Sequence, residues 1–423
     1  MDEAKPFLIP KREVWEAFKR VKANQGAAGV DGQSIEDFEA NLSGNLYKLW
    51  NRMSSGSYFP PPVRRVDIPK ASGGIRPLGI PTVADRIAQE VARRYLEPIL
   101  EPVFHPGSFG YRPGKSAIDA VAKARERCWR YDWVLDLDIK GFFDSIDWEL
   151  LLKAVRQHTD CAWVLLYIER WLKASVQMED GRVVPRQAGT PQGGVISPLL
   201  ANLFLHYALD KWMAREFPHI PFERYADDVI CHCRTKEDGR ALWRAIADRF
   251  AACKLVLHPE KTRIVYCKDV NRRGDHPDIH FDFLGYQFRA RKTMWAKPDR
   301  RIFAHSFLPA AASPKALTRI SREIRHWALH HRSDKSLSDL AAMYNPCIRG
   351  WITYYSHFYP TQLRPTLKRI DAYVIRWARR KYKRMVHWTK GARDWFDRLR
   401  RANPALFAHW SLCHGNGRTS GAV

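Results

Sequence analysis

Apolar positions recur at two different periods along this 423-residue chain, and the change from one to the other divides it. Near the start, Val14, Trp15, Phe18 and Val21 fall at helical spacing within residues 11–22, and the run Asn24-Gln-Gly-Ala-Ala-Gly-Val-Asp-Gly32 then breaks the helix. Residues 60–81 read as two β-like stretches joined at Ser72-Gly73-Gly74, a basic hairpin whose turn is flanked by Lys70 and Arg76. A helix is predicted over residues 86–96. Residues 133–139 alternate as a strand, with Trp133, Leu135, Leu137 and Ile139 on a buried face and Val134, Asp136 and Asp138 on the other. Asp147 suits the N-cap of a helix with Leu150, Leu151, Ala154 and Val155 on its apolar side. After the loop Gly189-Thr-Pro-Gln-Gly-Gly-Val-Ile196, Ser197-Pro198 predicts an N-cap followed by proline at the first helical position. Residues 241–250 read as a further helix, and 255–266 as strand, turn, strand.

Past Pro309 the period is helical throughout. Leu340, Tyr344, Cys347, Ile348, Trp351, Tyr355 and Phe358 form one stripe, and Leu367, Ile370, Val374 and Trp377 another. Strands interleaved with helices and then helices alone predict an α+β fold, an antiparallel sheet backed by helices and followed by an all-α domain. The expected division is an N-terminal extension at 1–55, a sheet-bearing region at 56–305, a helical domain at 306–385 and a basic tail at 386–423, with 411–423 frayed.

Within this pattern Tyr225-Ala-Asp-Asp228 stands out. Residues 222–225 and 229–233 read as the arms of a β-hairpin, so Asp227 and Asp228 are expected in its turn. Aspartate is a common turn residue, but two adjacent carboxylates between apolar arms invite a cation. On the second arm Val229, Cys231 and Cys233 alternate with Ile230 and His232. Cys231 and His232 therefore face oppositely, which favours core packing over a metal site.

Charge adds a partner. The chain carries 70 Lys+Arg against 45 Asp+Glu, a net +25, which points to a polyanion. The excess is C-terminal: residues 289–423 hold 28 Lys+Arg and 7 Asp+Glu, or +21. This segment is also rich in Trp and Tyr, so it is expected to be a folded surface for nucleic acid and not a disordered tail. The eight cysteines form no Cys-x-x-Cys pair and are expected to be reduced, mostly packing thiols. No apolar run reaches the ~18 residues of a membrane span and no signal peptide is read, so a soluble, cytoplasmic protein is expected.

Asp138, Asp227 and Asp228, distant in sequence but joined by the expected sheet, suit two Mg²⁺ ions, which prefer hard oxygen ligands. Such a pair of ions, about 3.5–4 Å apart, activates an attacking hydroxyl and stabilises a leaving pyrophosphate. Close carboxylates also raise one another's pKa. Lys70 and Arg76 could grip the incoming triphosphate; the alternative is a solvated hairpin tip.

Seven blocks in order then carry a resemblance: residues 24–32, Ile68-Pro-Lys to Arg76-Pro-Leu-Gly-Ile-Pro81, Ser108-Phe-Gly-Tyr-Arg-Pro-Gly114, Asp138-Ile-Lys-Gly-Phe-Phe-Asp144, Gly189-Thr-Pro-Gln-Gly-Gly194, Tyr225-Ala-Asp-Asp228 and Phe283-Leu-Gly-Tyr286. The chain resembles the group II intron-encoded reverse transcriptases with their maturase region, over roughly residues 20–390. The resemblance implies a right-hand polymerase fold of fingers and palm followed by a helical thumb and maturase domain. It implies an RNA-directed DNA polymerase that extends a DNA primer with deoxynucleoside triphosphates and binds group II intron RNA as template and splicing substrate. Asp138 and Asp227 become the principal metal ligands, Asp228 completes the site, and Asp136 is a bystander. Phe143 would lie under the deoxyribose, or be an ordinary core residue. Gln192 would support the nucleotide, Lys70 and Arg76 the triphosphate. Lys261 would donate a proton to pyrophosphate or be a solvated turn lysine, and Phe283, Leu284, Gly285 and Tyr286 would seat the primer terminus. Thumb aromatics such as Trp351 and Trp377 are expected in the core, leaving the cations for RNA. The family's Cys/His-bearing HNH nuclease module is not read in these residues, since Cys413-His414 cannot make it alone. Two other roles fit the same motifs: a reverse transcriptase recruited to defence or repair, and a non-catalytic splicing cofactor.

Overall fold

The computed structural model describes residues 5–69, 74–272, 274–297, 300–307 and 310–414. Lys70 lies outside the described residues. The chain divides into two compact units, Met1–Ala120 with Val134–Ile264, and Val121–Trp133 with Val265–Val423. Sheets and helices alternate in the first and helices dominate the second, in agreement with the α+β class.

The first unit opens with the helix Lys11–Asn24, which buries Val14, Ala17, Phe18 and Val21. Trp15, expected in that stripe, is exposed. The glycine-rich segment after this helix is tied down by Arg86, whose guanidinium donates to the carbonyls of Gln25 and Ala27 at 3.0 Å each. Arg86 belongs to the helix Val83–Leu100, which starts earlier than its apolar pattern suggests because Thr82 caps it, accepting the Asp85 amide. Its first half, from Val83 to Ala92, is buried almost all round, whereas Tyr95 and Pro98 in the second half are exposed. Asp85 accepts from Tyr58 at 2.8 Å, Trp171 at 2.7 Å and Gln89 at 2.9 Å.

Two sheets frame the unit. One has the order Ile75–Ile80, Val63–Pro69, Val176–Gln177, Val183–Val184, and its first two strands are the expected basic hairpin, in register from Arg64 opposite Ile80 to Pro69 opposite Ile75. The other has the order Phe222–Tyr225, Asp228–Cys233, Trp133–Leu137, Arg263–Tyr266. Its second strand is buried on both faces, as Val229 to Cys233 all lie inside, and His232 pairs with Glu223 at 2.6 Å. The cysteines there are packing residues, as expected.

Three local expectations need correction. Residues 255–266 are not strand, turn, strand: only Arg263–Tyr266 is a strand, and Leu257 makes a single bridge to Ile139. Pro259 has no amide to continue a ladder, and the His258 amide is committed to the Asp138 carbonyl at 2.7 Å. Ser197 is not an N-cap; it is the first residue of the helix Ser197–Leu205, and its hydroxyl accepts from Thr190 at 2.8 Å. The helix expected at 241–250 runs Lys236–Ala252, begun by a capping box of Thr235 and Asp238.

The second unit holds the sheet Ala311–Ala312, Tyr286–Phe288, Phe281–Phe283 and the hairpin of Arg291–Lys297 with Arg300–Ser306. Its helices are Pro314–His326, Leu337–Tyr355, Arg364–Lys381, Thr389–Ala402 and His409–His414, together with the helix Ala117–Arg130, whose C-terminal residues lie in this unit. Leu367, Ile370, Val374 and Trp377 are buried, as the periodicity requires, whereas Cys347 is exposed and Trp351 is half-buried, stacked on Trp327 at 5.3 Å. The stretch read as a basic tail contains two helices with Phe396, Phe407 and Trp410 in the core. Nor are residues 411–414 frayed: Asp371 accepts from Trp410 Nε1 at 2.9 Å and lies 2.8 Å from both His409 and His414, which anchors that end. Among the described residues no helix is long and apolar enough to cross a membrane.

Burial lifts the Asp85 carboxyl from an ordinary 3.8 to about 6, despite three donors that favour its charged form. An acid whose pKa is raised on folding stabilises the fold while protonated. Its contribution, roughly 2–3 kcal/mol by the size of that shift, is whole below pH 4 and is lost as pH rises through about 6. Hydrogen exchange in the helix Val83–Leu100, corrected for intrinsic rates, should therefore lose protection between pH 4 and 7, and Asp85→Asn should flatten that dependence. An unchanged dependence in the variant would assign it to another group.

Candidate active site

The acidic hairpin is tighter than its sequence suggests. Tyr225 pairs with Asp228, so the turn consists of Ala226 and Asp227 alone, and Asp228 is the first residue of the second strand. This corrects the expectation that both acids occupy the turn. Ala226 has φ +56°, a left-handed conformation that strains a residue carrying Cβ. The strain is held by Arg224. Its guanidinium donates to Asp210 through Nε at 2.7 Å and Nη2 at 2.6 Å, and through Nη1 to Asn202 Oδ1 at 2.9 Å and the Ala226 carbonyl at 3.1 Å. The side chains of Arg224 and Asp210 are fully buried. Asp210 ends a π-helical turn, His206–Asp210, set between the helices Ser197–Leu205 and Lys211–Glu216. Asn202 also donates to the Gly110 carbonyl at 2.7 Å, and Gly110 has no room for a side chain, since a Cβ there would stand 2.4 Å from the Ala226 amide. The motif at 108–114 thus braces the turn from the other side.

Asp138 follows the strand Trp133–Leu137, and its carboxylate pairs with the Lys261 ammonium at 2.7 Å. Lys261 is therefore placed at the acidic cluster, although it is well exposed. Asp227 is pushed up from the ordinary carboxylate range by loss of hydration and then by the charge of Asp138, against the pull of Arg76 and Arg224. Asp228 reaches the surface but is crowded. Loss of hydration and the charges of Asp227, Asp136 and Asp138 push it up to about 7, opposed by Lys261. Asp136 meets Arg263 at 3.3 Å and adds to this negative field.

The three predicted acids are thus within one another's electrostatic reach, with Asp136 beside them. Among the described residues no set of three metal-ligating side chains is gathered closely enough to enclose an ion as it stands. The chemistry of the donors nevertheless fits a divalent cation: carboxylate oxygens only, with loss of hydration and then neighbouring negative charge raising the proton affinity of Asp227 and Asp228.

A second chain of contacts lies beside the acids. Arg76 donates to Gln192 Oε1 at 3.0 Å, and Gln192 donates to Asp144 Oδ2 at 3.3 Å. The same Arg76 influences Asp227 and Tyr111. Blocks at 76, 144 and 192 therefore converge, as the resemblance implies. Backbone contact fixes them: the Gly79 amide donates to the Gln192 carbonyl at 2.7 Å, and a Cβ on Gly193, where φ is +115°, would lie 2.5 Å from the Gly79 carbonyl. Phe143 is buried beside Phe142 at 5.5 Å, and its carbonyl accepts the Thr190 amide at 2.8 Å.

Phe283, Leu284, Gly285 and Tyr286 belong to the second unit. They form a tight turn between Phe281–Phe283 and Tyr286–Phe288, with Leu284 at φ +51° and Gly285 at φ +78°. Tyr354 donates to the Leu284 carbonyl at 2.7 Å, and Tyr286 donates to the Tyr354 carbonyl.

Sequence reasoning missed Arg224, Asp210, Asn202, Tyr111 and Asp144. Two of them carried a signal. Arg224 is a cation inside a strand arm, and Asp210 an acid next to Ala208 and Leu209 in a helical stretch, each costly to bury without the other. Tyr111, at φ +56° and partly exposed, packs 6.3 Å from Tyr225, and burial followed by the Asp227 charge pushes its phenol up.

Comparison with known proteins agrees with this geometry. Residues 68–288 match the family model of reverse transcriptase (RNA-dependent DNA polymerase), and residues 317–395 match that of the group II intron maturase-specific domain. The chain is 31% identical over 323 residues to protein YkfC of Escherichia coli, covering 67% of this chain and 81% of YkfC. It is 36% identical over 210 residues to the group II intron-encoded protein LtrA of Lactococcus lactis, covering 49% of this chain and 34% of LtrA. It thus spans most of the first relative and about a third of the second.

Removing the charge from Asp210 leaves the buried Arg224 guanidinium without its counter-ion. Asp210→Asn should destabilise the first unit by about 3–5 kcal/mol, seen as a lower denaturant midpoint. A midpoint within experimental error of the parent would contradict the role given to this pair.

Proposed function

The chain belongs to the reverse transcriptase (RNA-dependent DNA polymerase) family and carries a group II intron maturase-specific domain, and from that premise we propose how its residues carry out the reaction. The substrates are a DNA primer, deoxynucleoside triphosphates and an RNA template, and the RNA is the group II intron RNA whose splicing the protein assists. The family is metal-dependent, and the proposed cofactor is a pair of Mg²⁺ ions. The observation that carries this reading is the meeting of Asp138, just after the strand Trp133–Leu137, with Asp227 and Asp228 of the adjoining hairpin, within reach of the Arg76 charge.

Asp138 and Asp227 would hold the ions, with Asp228 completing the donor set. Once bound, they supply a lowered pKa at the primer 3′-hydroxyl and charge neutralisation at the pyrophosphate leaving group. Everything else falls to the chain. Arg76 and Lys70 would offer cationic contacts to the triphosphate, and Gln192, which accepts from Arg76 and donates to Asp144, would support the nucleotide. Phe143 supplies bulk beneath the sugar, so a 2′-hydroxyl meets a wall. Lys261, whose ammonium pairs with Asp138, would transfer a proton to pyrophosphate. Phe283, Leu284, Gly285 and Tyr286 form the turn that seats the primer end. The +21 charge of residues 289–423 supports RNA as the partner of the second unit, through contacts that weaken with salt.

Two experiments test this. With Mg²⁺ and a DNA primer on an RNA template, the purified protein should add deoxynucleotides, EDTA should stop it, and Asp227→Asn should abolish extension while RNA affinity stays within a few-fold. Loss of extension and RNA binding together would mean that the variant is unfolded and not chemically impaired. Phe143→Ala should raise ribonucleotide use relative to deoxynucleotide use by at least about tenfold; unchanged discrimination would return Phe143 to the core alone.

A further inference from the structure

Far in sequence from the acids, the second unit contains a cavity of about 420 Å³ lined by His330, Arg376, Arg379, Arg380 and Val386. Among the described residues that line it there is no carboxylate. Arg376, Arg379 and Arg380 fall at i, i+3 and i+4 on the helix Arg364–Lys381, so three like charges share one helix face, an arrangement that repels itself when nothing anionic intervenes. Part of the cluster has a local explanation. Cations in the last turn of a helix complement its dipole, which accounts for Arg379 and Arg380. It does not account for Arg376, a turn earlier, or for His330, which comes from the separate turn Leu329–His331.

The side chains are also held in position. Arg379 donates to the Val386 carbonyl through Nε at 3.3 Å and Nη2 at 2.8 Å, and Arg380 Nη1 lies 2.5 Å from His331 Nδ1. Arg376 lies 5.4 Å above the Tyr373 ring, and that ring is 5.2 Å from His330. Among the described residues the buried Nδ1 of His330 has no hydrogen-bond partner. Burial and the neighbouring His331, Arg380 and Arg376 press its pKa down, as expected where positive charge is in excess.

We propose that this cavity is an anion site for a backbone phosphate of RNA, with Arg376 and Arg380 as the forks that grip it and His330 beneath. Planar guanidinium groups match phosphate oxygens in pairs, and the stretch lies inside the match to the maturase-specific domain, so the strand it takes is RNA. The assignment rests on the reading of the second unit as an RNA-binding surface. Arg379 is a positioning residue, because its donors are spent on Val386.

The test uses full-length protein and a structured group II intron RNA, with affinity measured from low to high KCl. Arg376→Gln and Arg380→Gln together should weaken binding by about tenfold near physiological salt and reduce the slope of log affinity against log salt by ~0.7–0.9 for each phosphate no longer neutralised. Arg376→Gln alone, at an exposed position, should give part of that loss without disturbing the fold. Arg401→Gln, an exposed cation outside the cavity, should leave the slope nearly unchanged, and the denaturant midpoint should stay at the parent value in all three. Parent-like affinity and slope in the double variant, or an equal loss in Arg401→Gln, would overturn the cavity assignment while leaving RNA binding intact. A parent protein that shows no salt-dependent RNA binding would overturn both readings.

Discussion

The candidate active site depends on one buried ion pair. Arg224 and Asp210 meet through two short hydrogen bonds with both side chains out of water, and the guanidinium has one nitrogen left over for Asn202 and the Ala226 carbonyl. That last bond holds a non-glycine residue in a left-handed conformation, and the conformation lets a two-residue turn present Asp227 with Asp228 beside it. Burying two charges is expensive, and a well-packed apolar pair would often be as stable. What the apolar pair would lack is a donor fixed in direction. Here the pair serves position more than stability, and the π-helical turn that brings Asp210 to the strand serves the same end.

The contacts around Arg76 follow a different rule. Arg76, Gln192 and Asp144 come from three separate blocks, and hydrogen bonds of ordinary strength join them. Their convergence is set by backbone approach: a Cβ on Gly193 would lie 2.5 Å from the Gly79 carbonyl, and one on Gly189 2.5 Å from the Phe143 carbonyl. The acids are thus held by a buried charge pair and the Arg76–Gln192–Asp144 chain by backbone contact, and the charge of Arg76 links the two through Asp227. The second unit adds a third arrangement, a surface where cations outnumber acids and are kept in place by carbonyls and rings.

Much of this was legible in the sequence. Turn and strand signals located the hairpin strands Val63–Pro69 and Ile75–Ile80 and the strand ending before Asp138, and helical periodicity located Leu337–Tyr355 and Arg364–Lys381, because burial along one stripe of a helix writes itself into residue order. The three acids were legible because their chemistry is unusual for their setting. What escaped reading has a common physical cause: it depends on partners brought together by the fold. Arg224 gives no hint of Asp210, His258 does not announce that its amide will serve Asp138, and the docking of residues 409–414 depends on Asp371. Trp15 shows the converse. It fits the helical stripe by spacing and lies at its edge, where the stripe meets solvent.

In the proposed mechanism the acids gathered around this turn bind the catalytic cations. Binding of Mn²⁺ in place of Mg²⁺, followed by electron paramagnetic resonance with primer, template and an unreactive nucleotide analogue, tests it most directly. About two ions should bind per chain, with loss of both in Asp138→Asn or Asp227→Asn and retention in Asp136→Asn. Ions bound equally well by all three variants would place the cations elsewhere and contradict it.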